Sequence, residues 1–266
     1  MTFSASLVRK IAIKKGKQMV LVFDISGRIG HFRKVWTTTS ALTYTFPTYS
    51  ATAGILGAII GLDNMKPCIG ITEEQYLDVF CKKDFEFAIQ LKSRIRKTSN
   101  MLAVNILDTS ATLHDSKSGK INRTQHFMEI LVNPEYRIYV FCKNKEKKPY
   151  FDTLLDCISK HRTVYTVNLG SANFLADFKF VGTFNYQKKR NNKVIPVLSV
   201  VPRSKITKLE IYEGAEYMCE ERFVINMSKT RECDYEDVYY ERNGKPIYIA
   251  PTEYYEIEEV GNIVTL

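Results

Sequence analysis

The fold of this chain is decided by residues 20–62, VLVFDISGRIGHFRKVWTTTSALTYTFPTYSATAGILGAIIGL. The first six of these residues are apolar except for Asp24, which is typical of a strand buried on both faces. Residues 50–62 are apolar and rich in glycine, and they predict a helix. The sequence therefore predicts a core strand, a loop and a packed helix in direct succession.

The predicted helix carries a start signal and an unusual glycine spacing. Ser50 is a good N-cap residue, and Pro47 restrains the chain that leads into it. Gly54, Gly57 and Gly61 lie at positions i, i+3 and i+7 and share one helix face. Each interior glycine costs about 1 kcal/mol relative to alanine. We therefore expect this face to approach a sheet or a ligand closely, with Gly61 alternatively acting as the C-terminal cap.

The loop before this helix is dense in residue types that bind RNA. Arginine and lysine contact phosphates, and aromatic rings stack on unpaired bases. The residues that we expect to bind RNA here are Arg28, His31, Arg33, Lys34, Trp36, Tyr44 and Tyr49, with Ser50 at the anion-attracting helix start. Trp36 has an alternative role as a hydrophobic anchor for the loop.

Charge is distributed unevenly along the 266 residues. The formal net charge is +9, but residues 1–208 hold 33 basic and 15 acidic residues, whereas residues 209–266 hold 5 basic and 14 acidic ones. A basic first part is typical of a phosphate-binding surface. The acidic part either faces a basic neighbour or only keeps the protein soluble.

Composition argues against several classes of protein. The six cysteines form no Cys-x-x-Cys pair and have no histidine at zinc-finger spacing, so we expect reduced thiols, no metal and no other cofactor. Lysines interrupt the first 17 residues, which argues against a secretory signal. Because no run of about 18 apolar residues predicts a membrane span, we expect a cytoplasmic protein without a membrane partner.

The rest of the chain predicts an alternation of strands and helices. The predicted elements are a strand at 19–26, a helix at 50–62, an insertion at 63–122, strands at 124–132 and 136–142, a helix at 150–161 and a strand at 164–169. This β-α-β-β-α-β order is that of ferredoxin-like folds, an α+β class that includes RRM-type RNA binders. We interpret residues 1–203 as this domain and residues 204–266 as a small β-rich C-terminal appendage.

Further strands are predicted outside this pattern. The insertion is expected to contain a helix at 73–81, a strand at 85–92 and a projecting β-hairpin at 101–123. Beyond the last predicted strand, two more hairpins are expected. They pair 178–186 with 194–201, and 237–241 with 246–250, the latter around an Asn-Gly turn.

Three segments resemble Cas family five, the CRISPR-associated subunits of type I surveillance (Cascade) complexes in the RAMP superfamily. The segments are residues 24–61, with the Phe32-Arg33 pair and the Pro-x-x-Ser helix start, residues 123–140 (RTQHFMEILVNPEYRIYV) and residues 169–174 (LGSANF). The resemblance spans about residues 18–200, and its overall pattern is similar to type I-B.

The resemblance implies a noncatalytic crRNA-binding subunit of a ribonucleoprotein complex in antiviral defence. Such a subunit caps the 5′ handle of the guide RNA and docks the Cascade large subunit and the first Cascade backbone subunit. It meets target DNA only through the assembled complex. The hairpin at 101–123 corresponds to the family's thumb, which we expect to cross the guide and to displace or kink a nucleotide at the handle–spacer junction. The further RNA contacts expected from this hairpin and its strand are Lys117, Lys120, Arg123, Gln125 and His126.

The alternative function is that of a metal-independent endoribonuclease that processes precursor crRNA. Cleavage needs a base, an acid and a cation at the phosphate, roles open to Tyr44, His126 and Lys34. In the subtype whose Cas family five member cleaves RNA, the resemblance implies a tyrosine near Tyr44 and a Lys-His pair near His126. Here Gln125 precedes His126, so the lysine is missing, and we favour the noncatalytic subunit. A stand-alone RRM-like adaptor is a third possibility.

Overall fold

A computed structural model describes residues 18–37, 40–63, 74–98, 102–107, 123–228 and 230–266. Residues 1–17 and the predicted contacts Lys117 and Lys120 lie outside these ranges. The described chain is a mixed fold with few helices and mostly strands. None of its helices is both long and apolar enough to cross a membrane, as judged over the described ranges.

The strands are numbered in chain order. They are β1 (Met19–Gly27), β2 (Ile29–Gly30), β3 (Phe32–Arg33), β4 (Ser40–Ala41), β5 (Thr43–Tyr44), β6 (Phe85–Leu91), β7 (Arg96–Lys97), β8 (Leu102–Leu107), β9 (Arg123–Met128), β10 (Leu131–Val132), β11 (Glu135–Cys142), β12 (Ala176–Lys189), β13 (Ile195–Val197), β14 (Val201–Pro202), β15 (Ile206–Glu210), β16 (Tyr217–Met227), β17 (Cys233–Glu241), β18 (Ile247–Pro251), β19 (Tyr254–Ile257) and β20 (Gly261–Ile263). The α-helices are α1 (Tyr49–Ile60), α2 (Tyr76–Val79) and α3 (Lys148–Ser159), and 3-10 turns occur at Lys145–Lys147 and Arg203–Lys205.

A six-stranded sheet forms the centre of the molecule, with strand order β20-β19-β12-β1-β11-β6. All of its neighbouring strands pair antiparallel. The side chains of β1 alternate between two buried clusters, with Leu21 and Phe23 in the larger one and Val20 and Val22 in the smaller one. Burial on both faces explains why this strand is apolar almost throughout, as the sequence predicts.

Helices α1 and α3 pack on the same side of this sheet. Leu56 of α1 and Leu154 of α3 belong to the larger cluster, together with Phe87 of β6. Helix α1 is capped by Thr48, whose hydroxyl accepts from the backbone N–H of Ala51 at 3.2 Å, so the prediction of Ser50 as N-cap was wrong by two residues. The helix ends at Gly61, whose φ of 85° is the left-handed conformation of a helix C-cap.

Two predicted strands of the central sheet were wrong. The neighbour of β11 is β6 and not residues 124–132. Strand β6 places Phe85, Phe87, Ile89 and Leu91 in the larger cluster, whereas β9 pairs with β8 and β4. The strand that pairs with the other edge of β1 is β12 and not residues 164–169. The backbone N–H groups of Val164 and Tyr165 instead donate to the carbonyls of Ile59 and Ala58, so that segment covers the end of α1.

The two predicted C-terminal hairpins are also wrong. Strand β12 pairs with β19, whereas β13 pairs with β18, and β17 pairs with β16 and β14. These partners are distant in sequence, which turn signals alone do not encode. Phe223, Val238 and Leu266 belong to the same cluster as β1 and α1. The predicted domain boundary at residue 203 stays a prediction, and strands on both sides of it contribute to one core.

Candidate nucleic-acid interface

A cleft of about 980 Å³ runs along one side of α1. Most of its walls come from the segment 31–33, helix α1, the segment 165–172, strand β9, and the tip of the hairpin formed by β16 and β17. Ala41, Leu62, Asp63 and Tyr76 complete the lining. The lining includes two arginines, Arg33 and Arg231, and two histidines, His31 and His126. Asp63 is the acidic residue of the described lining. The cleft is therefore cationic in character.

The helix wall of the cleft is made of small side chains. Ser50, Gly54 and Ala58 lie four residues apart, so they form one stripe along α1 that faces the cleft. A Cβ added at Gly54 would have its nearest neighbour at 3.8 Å, whereas one added at Gly57 would lie 2.6 Å from Cβ of Tyr76. The predicted glycine face is thus divided, since Gly57 packs against α2 and Gly54 belongs to the open wall.

The start of α1 supplies the electrostatics of this wall. The first N–H groups of a helix point out of its N-terminus, where the helix dipole places partial positive charge. Thr48, Ser50 and Ala51 of this helix start line the cleft. This arrangement attracts anions such as phosphate.

The opposite wall is held by a close backbone contact. Gly170 has a φ of 93°, and a Cβ at this position would lie 1.8 Å from the carbonyl oxygen of His31. The carbonyl of Leu169 also accepts from the N–H of His31 at 2.9 Å. Only glycine allows this approach, which fixes Ser171 and Ala172 at the edge of the cleft.

The two cleft arginines come from opposite ends of the sequence. Arg33 is exposed on β3, and its Nη2 donates to the carbonyl of Thr37 at 2.7 Å. Arg231 lies at the tip of the β16–β17 hairpin with a φ of 68°, and its Nη1 is 3.3 Å from the hydroxyl of Tyr76. Guanidinium groups bind phosphate oxygens with paired, directional hydrogen bonds. The cleft therefore presents two directional cations beside a helix start.

Lys34 does not reach the cleft, because it is committed to an internal ion pair. Its ammonium contacts the carboxylate of Glu220, which is buried, and Lys97 approaches the same carboxylate at 3.6 Å. The backbone N–H of Thr45 also donates to Glu220 at 3.0 Å. Burial alone would raise the pKa of Glu220, but the two lysines and Thr45 outweigh it and lower that pKa. Lys34 thus holds β16 against the first part of the chain.

Of three predicted stacking rings, Tyr44 and Tyr49 are buried in the core, whereas Trp36 is 39% exposed. Tyr44 is fully buried, and its hydroxyl donates to the carbonyl of Arg222 at 2.6 Å. Trp36 meets Tyr44 edge-on, and the guanidinium of Arg222 lies 4.9 Å from its ring centroid. Tyr49 is also fully buried and donates to the carbonyl of Phe85 at 3.0 Å. The structure therefore removes Tyr44 and Tyr49 from the candidate interface, and it supports an anchoring role for Trp36.

The other predicted contacts divide between cleft and surface. His31, Arg33, Ser50 and His126 line the cleft. Arg28 and Gln125 are exposed but lie outside the lining. The backbone of Arg123 pairs with Leu107, at the start of β9. In the described ranges, no three His, Cys, Asp or Glu side chains are grouped closely enough to hold a metal ion.

Sequence comparison identifies the family of this chain. The family described as CRISPR-associated protein (Cas_Cas5) matches residues 20–192. The chain belongs to the Cas5 family. The matched range includes β1, α1, β9 and the segment 169–172, which together contribute most of the cleft. No curated protein matches the sequence.

Solved structures resemble this Cas5-family chain in outline. One is a CRISPR protein from Archaeoglobus fulgidus, with 12% sequence identity and a TM-score of 0.49 over 90% of this chain and 95% of that one. Another is a chain of a CRISPR RNA-guided surveillance complex, with 14% identity and a TM-score of 0.46 over 87% of this chain and 91% of that one. The family assignment rests on the sequence match.

Several cleft residues of this Cas5-family protein are absent from the sequence predictions. Arg231 and Met227 belong to the acidic C-terminal part, and only the tertiary path of the β16–β17 hairpin brings them to the cleft. Tyr165 lines the cleft beside Asp63, to which its hydroxyl donates at 3.1 Å. Ser171 lies in the segment LGSANF, which is one of the segments that resemble the family, so the resemblance could have indicated this wall of the cleft.

Proposed function

We propose that this Cas5-family protein is a noncatalytic subunit of a type I CRISPR surveillance complex and binds the 5′ handle of the guide RNA in the cleft. The cleft carries this proposal, because it combines two arginines with a helix N-terminus and a wall of small side chains. Phosphates would lie at the helix start and the arginines. The small side chains at Gly54 and Ala58 would let the sugar-phosphate backbone come close to the helix.

The fold supports the same proposal. The four central strands follow the order β12-β1-β11-β6 with α1 and α3 on one side, which fits a ferredoxin-like arrangement. Strands β8 and β9 pair antiparallel, and the residues between them, 108–122, lie outside the described ranges. We assign β8 and β9 to the thumb. His126 and Met128 of β9 line the cleft, so a guide in the cleft would pass the base of this hairpin.

The family assignment supports a proposal about the partners. We propose that the protein docks the large subunit and the first backbone subunit of the complex, and that it meets target DNA only through the assembly. Co-expression with the neighbouring genes of the CRISPR operon and purification on a tag tests this directly. Co-purification of both subunits and guide RNA is expected, whereas purification of the protein alone would favour a stand-alone RNA-binding adaptor.

The binding site is tested by comparing arginines inside and outside the cleft. Arg33→Gln and Arg231→Gln each remove one cation from the cleft. The control Arg242→Gln removes one from a partly exposed position outside it, where Arg242 pairs with Glu216. Binding of labelled handle RNA is measured by fluorescence anisotropy at several salt concentrations. Each cleft variant should weaken binding by about 5- to 30-fold and lower the salt slope by about one. Wild-type affinity in both cleft variants would refute the assigned site.

One observation favours the endoribonuclease as a second candidate: His31 and His126 line the same cleft. The hydroxyl of Tyr44, the other predicted participant, is bonded to a backbone carbonyl inside the core, and burial raises the pKa of Tyr44. This position argues against a role for Tyr44 in proton transfer. Labelled repeat RNA incubated with the protein in EDTA is expected to stay intact, and a specific product lost in His126→Ala would support cleavage.

A further inference from the structure

His31 occupies a defined position at the cleft. It lies between β2 and β3, lines the cleft and is only 4% exposed. Its backbone N–H donates to the carbonyl of Leu169, and Nδ1 of its ring lies 2.7 Å from the carbonyl oxygen of Glu129. A carbonyl oxygen only accepts hydrogen bonds, so Nδ1 must carry the proton. This contact fixes the ring as the Nδ1–H tautomer.

The other ring nitrogen has no partner among the described residues. Nε2 of His31 is buried there without a hydrogen bond. In the Nδ1–H tautomer, Nε2 carries a lone pair and can only accept. Burial lowers the pKa of His31, the contact with Glu129 opposes this effect, and the nearby charge of Arg33 adds to it. The ring is therefore neutral near pH 7.

Because Nε2 of His31 is a neutral acceptor, only a ligand group that donates a hydrogen bond can pair with it. Phosphate oxygens are acceptors and cannot satisfy Nε2, so His31 is not a phosphate contact in this state. The missing partner is a hydrogen-bond donor. In RNA the donor that accompanies every phosphate is the ribose 2′-hydroxyl, whereas amino groups occur only on some bases. The phosphate-attracting helix start and Arg33 line the same cleft, so they would bring riboses to His31.

We propose that His31 is a specificity-determining residue, whose Nε2 accepts a hydrogen bond from a ribose 2′-hydroxyl and makes the cleft prefer RNA to DNA. This inference rests on the proposed function, because it concerns the same cleft. An interface that recognised RNA only through its phosphate charges would not need this hydrogen-bond acceptor. DNA of the same sequence would keep the phosphate contacts and leave Nε2 without a donor.

Two substitutions separate the ring nitrogens. In His31→Asn the side-chain amide can still donate to Glu129, as Nδ1 does, but no atom reaches the position of Nε2. In His31→Gln the longer side chain can place an oxygen near Nε2, and the donor to Glu129 is weakened. Urea denaturation of both full-length variants verifies that they are folded. The binding readout is the ratio of affinities for RNA and DNA, which a general loss of stability would not change selectively.

The test uses the handle as RNA, as DNA, as RNAs with single 2′-deoxy substitutions, and as 5′-phosphorylated RNA. Wild type should bind RNA about three- to ten-fold more tightly than DNA, as expected for one neutral hydrogen bond. One 2′-deoxy position should account for most of this preference. His31→Asn should lose the preference with unchanged DNA affinity, and His31→Gln should keep part of it.

The contrary outcomes are distinct. If folded His31→Asn keeps the full preference, or if no single 2′-deoxy substitution lowers affinity, the assignment of Nε2 is wrong. A loss of affinity only with 5′-phosphorylated RNA would identify the terminal hydroxyl as the donor and overturn the 2′ assignment. Equal binding of RNA and DNA by wild type would also overturn it and leave the proposed function intact. Absence of binding to any oligonucleotide would refute the proposed function itself.

Discussion

Two adjacent cations, Arg33 and Lys34, should have opposite phenotypes. Both were predicted from the sequence to bind RNA, yet the structure places Arg33 in the cleft lining and pairs Lys34 with Glu220. Substituting each residue by methionine removes one positive charge and keeps a flexible apolar side chain. The two variants are therefore matched in charge and in position along the chain, and they differ in the contact that is lost.

The loss of stability that we expect in Lys34→Met follows from the environment of Glu220. The side chains of Lys34 and Glu220 are 17% and 5% exposed, so their ion pair is largely removed from water. Removing one partner of a buried pair typically costs about 3–5 kcal/mol. Lys97 and the N–H of Thr45 continue to stabilise the carboxylate, so we expect a loss of about 1–3 kcal/mol.

The assays are urea denaturation and titration of labelled handle RNA. Lys34→Met should lower the urea midpoint while its RNA affinity, measured where the protein is folded, stays within about two-fold of wild type. Arg33→Met should weaken RNA binding by about 5- to 30-fold and change stability by less than about 0.5 kcal/mol. If Lys34→Met instead has wild-type stability and the binding defect of Arg33→Met, the assignment of Lys34 to a structural role is wrong.

Three further predictions follow from the cleft walls. Gly170→Ala should destabilise the protein by at least about 1–3 kcal/mol in urea denaturation, because its Cβ would meet the His31 carbonyl, and a wild-type midpoint would contradict this. Gly54→Ala should stabilise the protein by about 0.5–1 kcal/mol and weaken RNA binding, because its Cβ has room but narrows the cleft. Gly57→Ala should destabilise the protein, because its Cβ would collide with Tyr76. Equal effects of the two substitutions would refute the division of the glycine face. Because the folded protein lowers the pKa of His31 below 6.5, the unfolded chain binds its proton first, so stability should fall as pH drops below about 6.5. His31→Asn should flatten this slope, whereas the contribution of Glu220, whose pKa is lowered from 4.5, is lost only at more acidic pH.

The predictions from local pattern were confirmed where the residues of one segment alone set its secondary structure. The apolar run of β1 predicted a strand buried on both faces, and Gly61 was named as a possible helix cap. The alternation of residues 85–92 predicted β6, although its place beside β11 was not anticipated. Hydrophobic periodicity reports how a segment is buried, but it does not name the strand that lies beside it.

The candidate site was only partly predictable for the same reason. Arg33 and Ser50, which the sequence predicts as RNA contacts, both line the cleft, and their role in RNA binding stays a prediction. The sequence did not separate Arg33 from Lys34, nor exposed rings from buried ones. Residue type indicates what a side chain can bind, whereas exposure depends on what packs against it.

The sequence by itself determined the core strand, the glycine-rich helix, the basic character of the first part of the chain and the Cas5-family resemblance. The tertiary structure alone decided that Tyr44 donates to a carbonyl 178 residues away, that Glu220 neutralises Lys34, and that Arg231 of the acidic part reaches the cleft. The physical reason is range: strand and helix patterns arise from neighbours along the chain, whereas ion pairs and buried hydroxyls need partners that only the folded chain brings together.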